Sequence, residues 1–288
     1  MRILDGKKLS EELTGELKTK IINENIKASF TTILVGENPS SIIYINKKKE
    51  KCEKLGIKFN LVNLSDNITT SELVEEIYRV NRNDNINGLI IQLPLPKHIN
   101  TQHILDEVSP LKDVDCFSSV NLGTMVTGNS VFKPATPYGI ELLLKHNNIN
   151  TIGKNVVIIG KSLIVGTSLG IILSNEQTNG ATITLCDKYT ENLKNHVSKA
   201  DILIVASGKH HLINDNFKIK QGVVIIDVGI HRIEDNSKKS GYKIEGDVDF
   251  KSVKDKCSYI TPVPGGVGPM TVYCLLENIY TAYKLQNK

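Results

Sequence analysis

Apolar and polar residues alternate along the first half of the chain with two different periods. Apolar residues recur at helical spacing in three segments, and three shorter apolar runs are predicted to be strands. The predicted helices are 8–24, 41–55 and 71–82, and the predicted strands are 31–35, 57–64 and 88–92. Helices that alternate with strands in this way are typical of crossover units on a mostly parallel sheet.

The alternation restarts in the second half, after a turn signal at 151–154. Strands are predicted at 156–159, 181–185, 202–206 and 223–228, and a last helical pattern covers 270–285. The sequence therefore predicts two α/β units, with a boundary between residues 117 and 150.

Composition narrows the class of protein. The 288 residues are 40% hydrophobic and 23% charged, as in ordinary globular proteins, and a net charge of +4 is spread along the chain. Spread lysines favour anionic small molecules over nucleic acid, which requires a concentrated basic face. Five cysteines without close pairs indicate a reducing compartment, with neither a disulfide framework nor a zinc site. The N-terminus lacks a signal-peptide core and no apolar run is long enough to span a membrane, so a cytoplasmic protein is expected.

A glycine-containing turn at 160–166 follows the predicted strand 156–159 and precedes an apolar helical pattern. A dinucleotide-binding fold places the pyrophosphate at such a point, at a helix N-terminus. Ser162 replaces the middle glycine of that motif, and Gly166 falls one position late. A P-loop is excluded because Asn155 stands where its first glycine is required. A purely structural turn remains the alternative.

The residues after the next strand give opposite indications about the dinucleotide. Asp187 ends that strand, where a carboxylate accepts hydrogen bonds from the adenosine ribose and suits NAD. Lys161 and Lys188 would instead attract the 2′-phosphate of NADP.

The predicted helix 41–55 carries a lysine on its apolar face. At about 100° per residue, one face holds Tyr44, Ile45, Lys48, Cys52 and Leu55. A lysine there loses hydration and has other cations nearby, and both effects favour its neutral form, which acts as an acid or base near neutral pH. The alternative is a lysine that only lines the edge of the core.

Two further polar residues lie at places suited to ligand binding. Gln92 ends the predicted strand 88–92, at the edge where α/β proteins usually bind ligands, although an amide there also suits loop hydrogen bonds. Asp113 and Asp115 are too few carboxylates for a metal, and the seven histidines show no metal-site spacing, so no metal is predicted. A carboxylate such as Asp115 is better suited to paired N–H donors on a flat heterocycle.

The segment 262–269 holds three prolines and three glycines directly before the last helix. Proline fixes φ and glycine opens conformations that other residues avoid, so the loop has an imposed shape. It is either a turn or a place where a ligand approaches the backbone.

Together these residues resemble the bifunctional methylenetetrahydrofolate dehydrogenase/cyclohydrolase family. The segments that carry the resemblance occur in the family's order: Tyr44-x-x-x-Lys48, Gly88-Leu89-Ile90-Ile91-Gln92-Leu93-Pro94-Leu95-Pro96, Lys112-Asp113-Val114-Asp115, Gly160-x-Ser162-x-x-Val165-Gly166, Asp227-Val228-Gly229-Ile230 and Pro262-Val263-Pro264-Gly265-Gly266-Val267-Gly268-Pro269-Met270-Thr271-Val272. They cover essentially the whole chain, and the two proline-containing segments are highly specific.

The resemblance implies a two-domain α/β enzyme, usually a homodimer, with folate bound in the cleft between the domains. Residues 1–118 would form a folate-binding catalytic domain, and residues 119–269 a Rossmann-like NAD(P)-binding domain. The C-terminal helix, 270–288, would pack back on the first domain.

The resemblance also implies two reactions of one-carbon metabolism, with purine biosynthesis as their context. Hydride would pass from 5,10-methylenetetrahydrofolate to NADP, and the resulting 5,10-methenyltetrahydrofolate would be hydrolysed to 10-formyltetrahydrofolate. Lys48 would handle protons during water addition, with Gln92 holding its neutral form. Tyr44 would flank the folate, and Asp115 would bind the N–H groups of its pterin.

The remaining roles that the resemblance implies concern backbone and cofactor contacts. The cofactor residues would be Gly160, Lys161, Ser162, Gly166, Lys188 and Ile230. The other substrate contacts would be Pro264, Gly265 and Gly266.

Some positions depart from the family. Cys116 stands where the family usually has glycine, so if that position requires positive φ the loop must differ. Asp187-Lys188 replaces a usual His and the residue after it, and His231 replaces a usual Asn, so NAD stays an alternative to NADP. Two other functions also stay open: an NAD-dependent dehydrogenase without hydrolase activity, and a folate- or nucleotide-binding protein without turnover.

Overall fold

The structure is a computed structural model that describes residues 1–238 and 241–287. Lys239, Ser240 and Lys288, which belong to the predicted domain segments, lie outside the described residues. Within the described part, no helix is both long enough and apolar enough to cross a membrane.

The chain divides into two compact units, each made from two separate stretches of sequence. The six-strand unit comprises Met1–Glu12 and Thr136–Thr271. The three-strand unit comprises Leu13–Ala135 and the segment that begins at Val272. The predicted domain boundaries after residues 118 and 269 stay predictions.

Strands and helices alternate over most of the chain. The strands are β1 (Arg2–Ile3), β2 (Ser29–Val35), β3 (Lys58–Leu64), β4 (Gly88–Ile91), β5 (Asn155–Ile159), β6 (Thr182–Cys186), β7 (Ile202–Val205), β8 (Val223–Asp227), β9 (His231–Glu234), β10 (Tyr242–Glu245) and β11 (Cys257–Ile260). The helices are α1 (Gly6–Asn23), α2 (Pro39–Lys54), α3 (Thr70–Asn81), α4 (Thr101–Asp106), α5 (Ser119–Val126), α6 (Ala135–His146), α7 (Ser168–Ser174), α8 (Leu193–Ser198), α9 (Phe250–Val253) and α10 (Val267–Gln286). A π-helical turn, Leu163–Thr167, leads into α7, and a 3₁₀ turn, Lys254–Lys256, precedes β11.

The three-strand unit contains a parallel sheet in the order β3-β2-β4. All seven positions of β2 are buried, as expected for a central parallel strand covered on both faces. Helix α3 begins at a capping box, in which Thr69 and Glu72 each accept a hydrogen bond from the other's backbone N–H. Its buried residues Leu73, Ile77 and Val80 join the core under β2 and β4.

The six-strand unit contains a parallel sheet in the order β1-β11-β8-β7-β5-β6. Strands β7 and β8 are buried throughout and lie near its centre. A separate antiparallel hairpin pairs β9 with β10. The carboxyl ends of β5, β6, β7 and β8 therefore meet at one edge, which we call the carboxyl edge.

The prediction of two α/β units on parallel sheets is confirmed. Each predicted strand lies within two residues of an observed one at either end. The strands that sequence reasoning missed are short: β1 has two residues, and β9, β10 and β11 have four each. Strands β4 and β7 are equally short but almost entirely apolar, whereas the missed strands contain polar residues and are too short to establish a period of two.

Candidate active site

Helix α2 presents a half-buried lysine in the three-strand unit. The helix begins after Asn38, whose side chain accepts a hydrogen bond from the Ser41 N–H at 3.2 Å, and ends before Gly56, at φ +74°. Ile45 and Cys52 are buried, and Lys48 lies between them on the same face and is half-buried.

Tyr44 does not belong to the buried stripe that the periodicity predicts. Its side chain is 49% exposed, whereas Ile45, Cys52 and Leu55 are at most 3% exposed. Lys47 lies with its ammonium 5.9 Å from the Tyr44 ring centroid, in a cation–π contact. The aromatic ring is therefore an exposed surface one helical turn from Lys48.

Lys48 and Gln92 are joined by a hydrogen bond. The Lys48 Nζ donates to Gln92 Oε1 at 3.1 Å, and Gln92 Nε2 donates to the Leu93 carbonyl at 3.0 Å. The Gln92 N–H continues the β2–β4 pairing by donating to the Ile33 carbonyl at 2.8 Å. Backbone and side chain together therefore fix the amide oxygen toward the lysine.

Asp115 follows a segment that runs beside β4. The Leu89 N–H donates to the Lys112 carbonyl at 2.8 Å, and Leu89 pairs with Asp113 in a parallel bridge. The chain turns at Val114 and Asp115, directly after this bridge. The charge of Lys48 acts on the Asp115 carboxylate, and Lys48 is itself hydrogen-bonded to Gln92, so these three side chains belong to one site.

The two aspartates of this segment have different surroundings. The buried Asp113 carboxylate accepts hydrogen bonds from the N–H groups of Phe117 and Ser118 at 3.2 and 2.9 Å, and from Asn121 Nδ2 at 2.9 Å. These contacts fix the loop. Asp115 is half-buried, and its carboxylate interacts with the charge of Lys48.

Cys116 adopts positive φ although it is not glycine. Its φ is +61°, and its buried Sγ donates to the Phe132 carbonyl at 3.3 Å. The loop therefore keeps a left-handed residue at the position where the family usually has glycine, at a cost of roughly 1–2 kcal/mol.

The electrostatics of Lys48 differ in part from the sequence-based expectation. Burial lowers the pKa of Lys48, as expected. The expected contribution of neighbouring cations is wrong, because the groups whose charges act on Lys48 are Asp115 and, more weakly, Cys52, and both raise its pKa. Burial likewise raises the pKa of Asp115 to about 6, against the opposing effect of Lys48. The Asp115 carboxyl can thereby exchange protons near neutral pH, and the Lys48 ammonium loses its proton more easily than an exposed lysine does.

In the six-strand unit, two glycines shape the turn after β5. Gly160 has φ +118°, and a Cβ there would lie 2.1 Å from the Ala206 carbonyl oxygen. A Cβ on Gly166 would lie 1.7 Å from the Gly160 carbonyl oxygen. Both positions require glycine because backbone packs directly against backbone.

The π-helical turn explains why the last glycine falls one position late. The Thr167 N–H donates to the Ser162 carbonyl at 3.0 Å, which closes a turn one residue longer than that of an α-helix. The π-helical turn accommodates the additional residue, and Gly166 still packs against Ile158 and Gly160 at the end of β5. The Ser162 side chain makes no capping hydrogen bond to this turn.

Lys161 and Asp187 form an ion pair at the carboxyl edge, with 3.4 Å between Nζ and Oδ2. Partial burial alone would raise the pKa of Asp187, but hydrogen bonds from the Tyr189 N–H and Thr190, together with Lys161, lower it overall. Lys188 is exposed, and its ammonium lies 4.8 Å from the Tyr189 ring centroid.

The carboxyl end of β8 presents an exposed apolar side chain, Ile230, which is 53% exposed. The loop that carries it is held by two buried aspartates. Asp227 accepts from the Gly229 N–H at 3.0 Å, and Asp247 accepts from His231 Nε2 and the Ser207 N–H at 2.7 and 2.6 Å. Sequence reasoning missed Asp247, since nothing local marks it.

Two of the three glycines of the segment 262–269 are explained by their backbone conformation and by contacts within the six-strand unit. Gly265 has φ +109°, and its carbonyl accepts from the Lys7 N–H at 2.8 Å. Gly266 is buried, and a Cβ there would lie 2.6 Å from the Pro262 carbonyl oxygen. Pro264 is exposed. The predicted substrate contacts of Pro264, Gly265 and Gly266 stay predictions.

Two family models match most of the chain. Residues 4–115 match the catalytic domain of tetrahydrofolate dehydrogenase/cyclohydrolase, and residues 134–287 match its NAD(P)-binding domain. The chain belongs to the tetrahydrofolate dehydrogenase/cyclohydrolase family. The resemblance inferred from the sequence motifs is thereby confirmed.

Individual members of the tetrahydrofolate dehydrogenase/cyclohydrolase family align over nearly the whole chain. A curated relative, the bifunctional protein FolD of Cytophaga hutchinsonii, is 45% identical over 99% of this chain and 100% of its own. The crystal structure of the bifunctional FolD of Campylobacter jejuni has a TM-score of 0.92 and 43% identity, covering 99% of each chain. The Trypanosoma brucei FolD, solved with NADP cofactor and inhibitor, has a TM-score of 0.91 and 32% identity, covering 98% of this chain and 97% of its own.

The match to the family's NAD(P)-binding domain covers most of the six-strand unit. The residues at the carboxyl edge of this unit are suited to binding a dinucleotide. Gly160 and Gly166 let the backbone of this turn pack closely between β5 and the following helix, as in the phosphate-binding turn of a dinucleotide fold. Lys161 offers positive charge, and Ile230 offers an exposed apolar surface suited to a ring. The residues at the carboxyl edge therefore fit the phosphates and the ring of a nicotinamide dinucleotide.

Proposed function

We propose that this chain is a 5,10-methylenetetrahydrofolate dehydrogenase and 5,10-methenyltetrahydrofolate cyclohydrolase that uses NADP. The observation that carries the proposal is the Lys48–Gln92 hydrogen bond beside Asp115, within residues that match the family's catalytic domain. Relatives more than 40% identical over the full length bear the name of a bifunctional protein.

Lys48 serves as the acid–base group of the hydrolase step. Burial disfavours its charged form, so a larger fraction of Lys48 than of an exposed lysine is the neutral amine that can accept a proton from the attacking water. Gln92 Oε1 accepts a hydrogen bond from Nζ at 3.1 Å and thereby directs the nitrogen lone pair. The water is oriented by the same pair.

Asp115 and Tyr44 bind the folate. The Asp115 carboxylate accepts hydrogen bonds from the amino and ring N–H groups of the pterin, and this charge-assisted contact fixes the ring. The exposed Tyr44 ring provides an apolar surface one turn from Lys48. Pro264, Gly265 and Gly266 complete the substrate contacts.

NADP is held at the carboxyl edge by Gly160, Lys161, Ser162, Gly166, Lys188 and Ile230. When bound, its nicotinamide accepts hydride from the methylene carbon of the folate. Asp187 already accepts hydrogen bonds from its own turn and pairs with Lys161, which makes it a poor acceptor for a ribose hydroxyl. Lys161 and the exposed Lys188 suit a 2′-phosphate, and this favours NADP over NAD.

The biological setting follows from the same family relationship. We infer that the enzyme acts in the cytoplasm as a homodimer, without nucleic acid, and that its product supplies purine biosynthesis. Residues 1–118, with the C-terminal helix, are the catalytic domain in this proposal, and residues 119–269 are the cofactor domain.

Measurement of both steps on purified protein tests the proposal. Methenyl formation is followed by absorbance with NADP and with NAD at equal concentrations, and hydrolysis of methenyltetrahydrofolate is followed separately. We expect both activities, and a higher kcat/KM with NADP. Absence of methenyl formation with either nucleotide would refute the dehydrogenase. Tight folate binding without turnover would favour a binding protein, and a preference for NAD without hydrolysis would favour the monofunctional alternative.

A further inference from the structure

A cluster of two histidines and a glutamate lies in the six-strand unit, outside the residues assigned above. His210 and His211 follow β7, and Glu245 ends β10, 35 residues after His210. The Nε2 atoms of His210 and His211 lie 2.8 and 3.5 Å from Glu245 Oε2. The ligand atoms of the three side chains all lie within 4.8 Å of one another.

An unusual backbone conformation accompanies the paired imidazoles. Neighbouring side chains in an extended segment point to opposite faces, but the rings of His210 and His211 stack with centroids 3.8 Å apart. His211 has φ +49°, a conformation that a residue with a side chain rarely adopts. Strained residues of this kind are concentrated at sites with a function.

We propose that His210, His211 and Glu245 bind one divalent transition-metal ion, such as Zn²⁺. Two imidazoles and one carboxylate are a ligand set for such borderline metals, whereas Mg²⁺ and Ca²⁺ prefer oxygen ligands alone. In a tetrahedral zinc site, ligand atoms are about 3.3 Å apart. The distances of 2.8 and 3.5 Å between the histidine Nε2 atoms and Glu245 Oε2 lie on either side of this value. Metal binding also requires the two stacked rings to rotate, so that the lone pair of each imidazole points to the ion. Water fills the fourth position.

The surroundings of the cluster support this assignment. Lys243 Nζ lies 2.7 Å from Glu245 Oε1, so the other carboxylate oxygen, Oε2, is the one directed to the imidazoles. His231 lies beside His210, with ring centroids 5.4 Å apart, but its Nε2 is paired with Asp247 Oδ1 at 2.7 Å. Across residues 1–238 and 241–287, this is the one group of three His, Cys, Asp or Glu side chains with such spacing. The histidines are about one third exposed, at 35% and 34%, so that an ion can enter from solvent.

Metal titration of the untagged full chain tests the proposal independently of enzymatic activity. After treatment with a chelator, the protein is titrated with Co²⁺ by visible absorbance and with Zn²⁺ by calorimetry. We expect one ion per chain, and no competition from millimolar Mg²⁺. His210→Ala, His211→Asn and Glu245→Gln are each expected to weaken binding by at least about tenfold. Asn is chosen at 211 because it tolerates the left-handed backbone.

The matched control is His103→Ala. His103 Nδ1 lies 3.6 Å from Glu107 Oε1, so this variant removes an isolated His–Glu pair, and binding is expected to be unchanged. Circular dichroism without metal establishes whether each variant is folded. Metal affinities of any two folded ligand variants suffice for comparison with His103→Ala. Absence of saturable Co²⁺ and Zn²⁺ binding, equal affinity in His210→Ala and His103→Ala, or effective competition by Mg²⁺ would each overturn the assignment.

Discussion

The Lys48 site and the turn from Gly160 to Gly166 achieve their geometry by opposite means. The first combines Lys48 of α2, Gln92 directly after β4 and Asp115 of the loop after α4, and burial displaces the pKa values of Lys48 and Asp115. At the second, the geometry is set by missing side chains, because backbone atoms occupy the places where Cβ atoms would be.

This difference predicts which substitutions each region tolerates. A site that depends on charge should lose function when a charge is removed without a change of shape. A turn that depends on close backbone contact should lose stability when a single methyl group is added, whatever its charge.

The largest effect is expected from Gly166→Ala. The new Cβ would lie 1.7 Å from the Gly160 carbonyl oxygen, and backbone cannot move aside as a flexible side chain can. We expect a loss of more than about 3 kcal/mol in the free energy of unfolding, measured by urea denaturation. Gly15→Ala is the control: nothing lies within 4 Å of that position in α1, so it should stabilise the protein by about 0.5–1 kcal/mol. Equal stabilities of the two variants would contradict the close contact.

Lys48→Met tests the charge-dependent site. Met keeps the length and the burial of the side chain but cannot exchange a proton. Hydrolysis of methenyltetrahydrofolate should fall by about 100- to 10,000-fold, while folate binding is retained. Lys49→Met makes the same change at an exposed position of α2, where a 3.9 Å contact with Glu53 is lost. This variant should hydrolyse methenyltetrahydrofolate at a near-normal rate. Normal hydrolysis by Lys48→Met would show that the role assigned to Lys48 is wrong.

Asp115→Asn should change both substrate binding and the pH profile. Loss of charge-assisted hydrogen bonds to the pterin should raise KM by about 10- to 100-fold. Since Asp115 raises the pKa of Lys48, its removal lowers that pKa, and kcat for hydrolysis should persist to lower pH. Glu50→Gln removes a charge from the exposed face of α2, the helix that carries Lys48, and should leave the pH dependence of kcat for hydrolysis unchanged. A shift toward higher pH would contradict the proposed coupling.

The pH dependence of stability offers a second readout for Asp115. Its pKa in the folded protein is about 6, against an ordinary value of 3.8, so the folded state binds more protons between these values. Stability contributed by the protonated carboxyl is complete below about pH 4 and is lost as pH rises through about 6. Denaturation measured at pH 4 and pH 7 should show this loss in the wild type and a smaller one in Asp115→Asn.

The smallest effect concerns Cys116. At most positions a protein with alanine is more stable than one with glycine, but at φ +61° a residue with a Cβ has a strained backbone. Cys116→Gly should therefore be more stable than Cys116→Ala by about 1 kcal/mol, although both lose the buried thiol. Urea denaturation of the two variants measures the difference, and the opposite order would show that the loop relaxes away from positive φ.

Sequence patterns predicted the alternating elements, the parallel sheets and the lysine on α2, because each rests on local periodicity or on a short motif. They did not reveal that Asp113 fixes the loop, since that role depends on the hydrogen bonds that its carboxylate accepts from the Phe117 and Ser118 N–H groups. They also missed the π-helical turn and the approach of Glu245 to His210. Contacts between residues 35 apart leave no trace in a local pattern.

The loop that carries Asp115 is held by a residue much later in the chain. Asn278 of α10 donates from Nδ2 to the carbonyls of Val114 and Lys133 at 2.8 and 2.9 Å, and Val114 lies 164 residues before it. During synthesis, which proceeds from the N-terminus, this loop cannot reach its final form until the last helix has emerged from the ribosome. The residues of the proposed site are thus translated early, but the loop that carries Asp115 can be completed only after α10 has been translated. A nascent chain that lacks α10 therefore does not display the finished loop.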